Sequence, residues 1–356
     1  MISGTINAIC EIILGLDYLI SRQDPRKMIS TKRFIPLYLL LILAISFSSC
    51  EKEITVDLPT TPPRIVVEGR IEPGTPPIVL LSWSQGYFEP TSIEALQNLY
   101  IQDAVVVVSN GTVSDTLDLF CTQDLTGEEL ELAAELLGIT VDQIQSLNIC
   151  IYTSFNLAIW GEIGKTYSLT IDYPGHHLYG ETKINELVEL DSLWFEILNN
   201  DPQDSLGFAF GIISDPDTLG NAYRWYAKRI NHYPAWSEHA GEQKDEAYIA
   251  PIGSVFDDEF FNGQTFEFGY FRGALTNSNK EDDNNAERGF YKLGDTIAVK
   301  GCVIDRGVFR FLSSFEDQVA NQGSPFAVPY NIQSNVAGGL GVWAGYGAVY
   351  DTIICQ

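Results

Sequence analysis

The sequence predicts a mainly β protein: an N-terminal immunoglobulin-like sandwich with a small helical insertion, followed by a second β-rich domain. Three observations carry this. About seven short apolar or alternating runs, bounded by Gly, Pro, Asn and Asp, fall within about 120 residues after Arg64. One stretch of strong helix formers, EELELAAELL at 128–137, interrupts them between Cys121 and Cys150. After Thr182 the alternating runs start again and continue towards the C-terminus.

The chain opens with segments that lie outside the fold. Residues 28–49 begin with Lys32 and Arg33, run apolar from Phe34 to Phe47, and close on Ser48 and Ser49 before Cys50. A basic start, a short apolar core and small residues before a cysteine are the parts of a lipoprotein signal. The core, about 14 residues, is shorter than the roughly 20 that a bilayer span needs. Cys50 is therefore the expected lipidation site and mature N-terminus. Residues 1–27 carry Glu11, Asp17 and Asp24 within a weak apolar segment, which makes a poor span. They read as an upstream extension outside the true protein, with Met28 the start, and a genuine 27-residue extension is the alternative. Residues 50–63 are polar and then proline-rich, as a lipidated tether would be.

The sandwich is assigned to 64–185. RIVVEG (64–69) and IVLLS (78–82) are short strands separated by the turn-rich EPGTPP. AVVVV (104–108) reads as a strand buried on both faces, and 112–119 as one alternating strand with Val113, Leu117 and Leu119 on one side. Segment 152–158 and TYSLTI (166–171) complete the set, the latter with Tyr167, Leu169 and Ile171 together. The helical insertion, 126–147, places Leu130, Ala133, Ala134 and Leu137 on one side. It is either a lid or contact element, or a stapled excursion that covers part of a sheet.

The second domain is assigned to 186–356, with strands at 187–195, 208–214, 222–230, 265–269, 296–305 and 308–313. In AYRWYAKRI, Tyr223, Trp225 and Ala227 face one way, and Arg224, Tyr226 and Lys228 the other. A helix over 310–319 competes with the last strand. GGLGVWAGYG (338–347) lacks the spacing of a phosphate-binding loop, and its five glycines suit close backbone approach or bulges.

Charge excludes some partners. The chain has 21 Lys and Arg against 47 Asp and Glu. Without residues 1–49 this becomes 16 against 44, a formal net charge of −28. Such a field repels phosphate backbones, so nucleic acid is not expected as a partner, and it repels bare anionic lipid headgroups. Membrane attachment then rests on the lipid at Cys50. In an oxidising compartment Cys121, Cys150, Cys302 and Cys355 allow three pairings. Cys121–Cys150 is favoured because the two bracket one insertion, and Cys302–Cys355 more weakly.

Catalytic signatures are sparse. The four histidines, His176, His177, His232 and His239, fall in no zinc-like spacing, and there is no nucleophile elbow or P-loop. No metal or cofactor is expected. Acidic turns at Asp215 and Asp217, at 257–259 and at 281–283 carry the hard oxygens that calcium takes, but none has EF-hand spacing. They read first as solvated turns. Tyr233 and Trp236, in NHYPAWSEH, are the candidate binding residues, since loop aromatics stack on sugars or anchor interfaces.

Several segments in order carry a resemblance: SSCEKEITVDLP (48–59), IVVEGRIEPGTPPIVLLS (65–82), GEIGKTYSLTI (161–171), LDSLWF (190–195), FDDEFFNGQTFEF (256–268), GDTIAVKG, and SPFAVPYNIQSNVAGGLGVWAGY near the end. Through them the chain resembles a Bacteroidota lipoprotein family catalogued as domain of unknown function 4249. The resemblance implies an outer-membrane lipoprotein, often encoded near TonB-dependent transporters, with no established activity and so no catalytic residues to carry over. CEKE looks like the signals that send such lipoproteins to the cell surface. The expected role is a non-catalytic accessory or binding partner of a TonB-dependent transporter in nutrient uptake. A surface hydrolase with paired carboxylates and a purely structural envelope lipoprotein are the alternatives. A large apolar or aromatic patch on the second domain favours the first, and two carboxyl groups about 5–10 Å apart in a pocket favour the hydrolase.

Overall fold

The computed structural model describes residues 62–86, 99–137, 141–147, 149–198, 205–233, 241–242, 245, 247–273, 289–321 and 331–356. In chain order the elements begin with β1 (Ile65–Ile71), β2 (Ile78–Trp83), β3 (Val105–Ser109), β4 (Ser114–Thr116) and β5 (Asp118–Cys121). Then come α1 (Glu128–Leu137), α2 (Val141–Leu147), β6 (Cys150–Thr153), β7 (Thr166–Tyr173), β8 (His176–Lys183) and β9 (Leu190–Ile197). They continue with β10 (Leu206–Ser214), β11 (Ala222–Arg229), β12 (His232–Tyr233), β13 (Gly241–Glu242), β14 (Val255–Asp257), β15 (Thr265–Tyr270) and β16 (Tyr291–Lys292). The last are β17 (Thr296–Ile304), α3 (Arg306–Ala320), β18 (Val336–Ala337) and β19 (Leu340–Ile354). The chain is mainly β, as the alternating runs require.

One eight-stranded sheet, in the order β14-β11-β17-β19-β1-β2-β6-β5, organises the rest. Its centre is β19, which pairs parallel with β1 and antiparallel with β17. Strands from both sides of the expected 185/186 boundary therefore share this sheet, and residues 60–356 form one compact unit. Two smaller sheets pack on its back. The five-stranded sheet β18-β8-β7-β3-β4 closes a core of Ile65, Val67, Val106, Tyr167, Leu169 and Trp343. The sheet β15-β10-β16, with β9 also on β10, closes a second core around Trp225, Tyr223, Phe268, Val299 and Tyr291. On the front face lie α3, over Ala222, Ile304, Val342 and Ala348, and the α1–α2 hairpin, over Leu80 and Ile151.

The glycine-rich end is the longest strand, not a loop. Its glycines are sites of close approach: a Cβ on Gly341, whose φ is +101°, would stand 1.9 Å from the Val67 carbonyl oxygen. A Cβ on Gly345 would stand 2.7 Å from that of Lys183. Low β propensity hides such a strand in sequence, although neighbouring backbone can reach it only because side chains are missing.

Three local expectations change. Segment 308–313 belongs to helix α3, because the Asp305 side chain accepts hydrogen bonds from the Gly307 and Val308 N–H groups and caps it. Its apolar residues Val308, Phe311, Leu312 and Phe315 then fall at helical spacing. The run 112–119 divides at buried Leu117 into β4 and β5, which join different sheets. β3 is buried on one face only: Val106 and Val108 are inside and Val105 is 52% exposed. β8, HHLYGETK, was not visible as a strand because its alternation runs through Leu178, Gly180 and Thr182.

Candidate functional site

The outward face of the β9–β10–β15 sheet carries an aromatic platform. Along β10, Ala209 and Ile213 point into the core, so Phe208, Phe210 and Ile212 point away from it. On neighbouring β9, Trp194 lies opposite Phe210 and stacks on it, with ring centroids 5.5 Å apart and planes 16° from parallel. Phe290 closes edge-on against Phe208 at 5.7 Å. On the other side Phe210 pairs with Gly269, where a Cβ would meet its ring at 2.4 Å. Gly269 therefore lets the Phe210 ring lie down on the sheet. The four rings remain half-buried, and Glu196 holds the Trp194 indole N–H at 2.7 Å. An outward sheet face would ordinarily be polar, and this one carries four half-buried aromatic rings instead.

A second feature is polar and lies on the front face of the large sheet. Between the part of β19 covered by α3 and the part of β2 covered by the α1–α2 hairpin runs β1. Glu68 pairs with Val342 on one side and Leu80 on the other, and Arg70 with Ala344 and Ile78. Glu68, Arg70 and Glu72 thus form a strip between two covered zones. At its end Lys300 Nζ donates to Glu72 Oε1 at 2.6 Å, and the Tyr350 hydroxyl donates to Glu72 Oε2 at 3.1 Å. Three tyrosine rings surround the same ammonium, Tyr226 at 5.3 Å, Tyr346 at 5.6 Å and Tyr350 at 5.9 Å. Next to them the buried Arg224 pairs with Glu316 of α3, whose other oxygen accepts from the Gly253 N–H at 2.7 Å.

The protonation states there oppose base and nucleophile roles. Burial alone would lower the Lys300 pKa, but Cys302, Glu72 and Tyr350 outweigh it and hold the ammonium above its ordinary range. Burial lifts the Tyr346 and Tyr350 hydroxyls, and it pushes the Cys302 thiol up to about 12. A protonated amine, neutral phenols and a neutral thiol are donors and contacts, not bases or nucleophiles near neutral pH. Glu68 is exposed at the mouth of the strip but crowded at its sides. That crowding lifts its carboxyl above the ordinary range, and Arg70 opposes the shift. Glu68 and Glu72 lie four residues apart, a backbone span of about 13 Å.

Two carboxylates of the acidic turns are spent on backbone. Asp258 accepts from the N–H groups of Gly220 at 2.7 Å and Asn221 at 2.9 Å. Asp215 accepts from the Gly263 N–H at 2.9 Å and from the Tyr223 hydroxyl. Among the described residues no group of three or more metal-ligating side chains converges. An interior cavity of about 20 Å³ beside Leu190, Ile213, Trp225 and Phe268 has room for about one water.

Cys121 and Cys150 are bonded, and the α1–α2 hairpin lies between them. Cys302 and Cys355 are not: both are buried free thiols. The register explains this. Cys302 lies opposite Ala348, seven residues before Cys355 along β19, which puts them roughly 20 Å apart, far beyond the ~7 Å Cα limit of a disulfide. Cys50, Trp236 and the side chain of Tyr233 lie outside the described residues, as does segment 281–283. The platform and the Lys300 cluster were missed by motif reading. Their signal was the outer face of each alternating strand, Phe208–Phe210–Ile212 and Glu68–Arg70–Glu72, where large aromatics or charges replace small polar residues.

A family described as domain of unknown function (DUF4249) matches residues 51–350. The chain belongs to this family. The match takes in β1 through nearly all of β19, so in this DUF4249 chain the platform, the Lys300 cluster and the disulfide all fall within the family domain. No curated protein matches the chain.

Proposed function

We propose that the protein is a non-catalytic, lipid-anchored accessory of a TonB-dependent transporter at the outer membrane, acting in nutrient uptake. The observation that carries the reading is the outward platform of Trp194, Phe208, Phe210 and Phe290, an aromatic contact surface on the C-terminal half of the chain. Two further points support it. The shifted groups around Lys300 are held protonated, which suits contacts more than a base or a nucleophile. The lipoprotein signal ending at Cys50 supplies the anchor.

The test is a mild-detergent pull-down from the native membrane through a tag after Gln356, followed by mass spectrometry. The expected result is a TonB-dependent barrel in near-equal amount, lost with Trp194→Ala/Phe210→Ala. Recovery of the lipoprotein alone after crosslinking overturns the proposal.

A further inference from the structure

The front face of β1 is the floor of a cleft. Ile65, Val67 and Ile71 turn into the core behind the sheet, so Val66, Glu68, Arg70 and Glu72 face forward. On one side their partners Val342 and Ala344 lie under α3, and on the other Leu80 lies under the α1–α2 hairpin. Val66 belongs to neither of those packed clusters and stays half-buried. The two strands that carry the walls stand about 10 Å apart, one strand spacing on each side of β1. A helix with its side chains is about 10–12 Å across, so the cleft suits a single extended chain. From Val66 to Glu72 the floor runs about 20 Å.

The polar groups on this floor are engaged to different degrees. Glu72 is taken by Lys300 and by the Tyr350 hydroxyl. Among the described residues neither the Glu68 carboxylate nor the Arg70 guanidinium has a hydrogen-bond partner. Glu68 is open to solvent and yet crowded enough to raise its carboxyl, as a group at the bottom of a concave site is. Tyr100 packs with the hairpin wall, and burial and then the Glu68 charge lift its hydroxyl, which stays protonated. At the far end Tyr350 is 60% exposed, and the bond from its hydroxyl to Glu72 fixes its ring.

These groups select a ligand by its chemistry. A free acceptor, a free donor and an exposed ring along one narrow cleft match a chain of hydroxyls and ring C–H faces. β1 is paired on both sides, so a peptide strand finds no open backbone there and would rest on side chains alone. The net charge of −28 repels anionic chains, while Arg70 and Lys300 on the floor oppose cationic ones. We propose that the cleft binds one neutral sugar chain, with Arg70 donating to its oxygens, Glu68 accepting from its hydroxyls and Tyr350 stacking on a ring. The site is separate from the aromatic platform and requires no transporter, so it stands or falls apart from that reading.

The test is calorimetric titration of the protein, in a detergent without a sugar headgroup, with neutral hexasaccharides of β-1,4-glucose, α-1,4-glucose, β-1,3-glucose, β-1,4-mannose and β-1,4-xylose. At least one is expected to bind with a Kd of about 1 mM or tighter. Arg70→Met should weaken that binding by about tenfold or more and Tyr350→Ala several-fold, in proteins that melt near the parent. Glu68→Gln keeps the shape of the floor and should also weaken binding, which carries the test if Arg70→Met does not fold. No binding of any hexasaccharide at about 5 mM overturns the proposal. So does binding that these variants leave intact, or that Trp194→Ala/Phe210→Ala abolishes while Arg70→Met does not, which would put the sugar on the platform. Tighter binding of a hexagalacturonate than of every neutral chain overturns it as well.

Discussion

Lys300 and Glu72 are 228 residues apart in the chain and 2.6 Å apart in the fold. Glu72 follows the last residue of β1 and Lys300 lies in the middle of β17, with β19 between them. Both side chains are mostly buried. A charge pair in this position ties the N-terminal and C-terminal parts of the sheet across its central strand.

Breaking that pair leaves one charge buried without its counter-charge. Glu72→Gln is expected to lower unfolding free energy by about 3–5 kcal/mol, whereas Glu72→Met/Lys300→Met should recover most of the loss. Urea unfolding of the parent, both single variants and the double variant measures the coupling. A Glu72→Gln protein as stable as the parent would show that Glu72 is not what holds Lys300.

Much of this fold was legible because burial imposes a period. Tyr167, Leu169 and Ile171, and Tyr223, Trp225 and Ala227, all turn inward as their alternation required. What stayed hidden is non-local. Nothing in GGLGVWAGYG states that Leu340–Gly345 will pair with Val66–Ile71, because the requirement is the backbone of Val67 and Lys183 standing where side chains would be. The platform was hidden for a related reason. Phe208 and Phe210 read as a buried strand until Ala209 and Ile213 are seen to face the core instead.

The Cys121–Cys150 bond closes a loop over a sequence separation of 29 around the α1–α2 hairpin. On the chain-entropy model a loop of that size is worth roughly 3–4 kcal/mol. The hairpin has only a small core of its own, Leu130, Ala134, Ile144 and Ile149, so the loss should begin there. Cys121→Ser/Cys150→Ser should lower stability by about that amount and raise amide exchange in 128–147 before elsewhere. Uniform exchange across the chain would mean that the hairpin is fastened by packing alone.

Alkaline pH should weaken the fold. Burial pushes the Cys302 and Cys355 thiols up to about 12 from an ordinary 9.0, and it raises the Tyr223 and Tyr291 hydroxyls as well. Between about pH 9 and 12 the unfolded chain releases thiol protons that the folded chain keeps. The unfolded state then binds fewer protons, so stability falls as pH rises through that window, and below it these thiols have no effect. Unfolding midpoints at pH 6, 7.5 and 10.5 should be level between the first two and lower at the third. Cys302→Ala/Cys355→Ala should flatten part of the fall, with the tyrosines retaining the rest. In the native state neither thiol should react with a thiol reagent at pH 8.

Asp258 ties the turn at 215–221 to the turn at 258–264. It is 1% exposed, its carboxylate accepts from the Gly220 and Asn221 N–H groups, and its own N–H donates to the Asn221 carbonyl at 3.1 Å. Asp258→Ala strips both donors of their acceptor, at about 1–3 kcal/mol for each one left unsatisfied. Asp258→Asn keeps one oxygen in place and loses the charge, so its cost should be smaller, nearer 1–2 kcal/mol. Urea unfolding orders the three proteins, and amide exchange at Gly220 and Asn221 locates the effect. Faster exchange at those two amides in Asp258→Ala, with the β17 and β19 amides unchanged, places the loss in the turns. Unchanged exchange at both would mean that the turns are held by Asp215 and the Gly263 N–H, and that Leu219 keeps its position without Asp258.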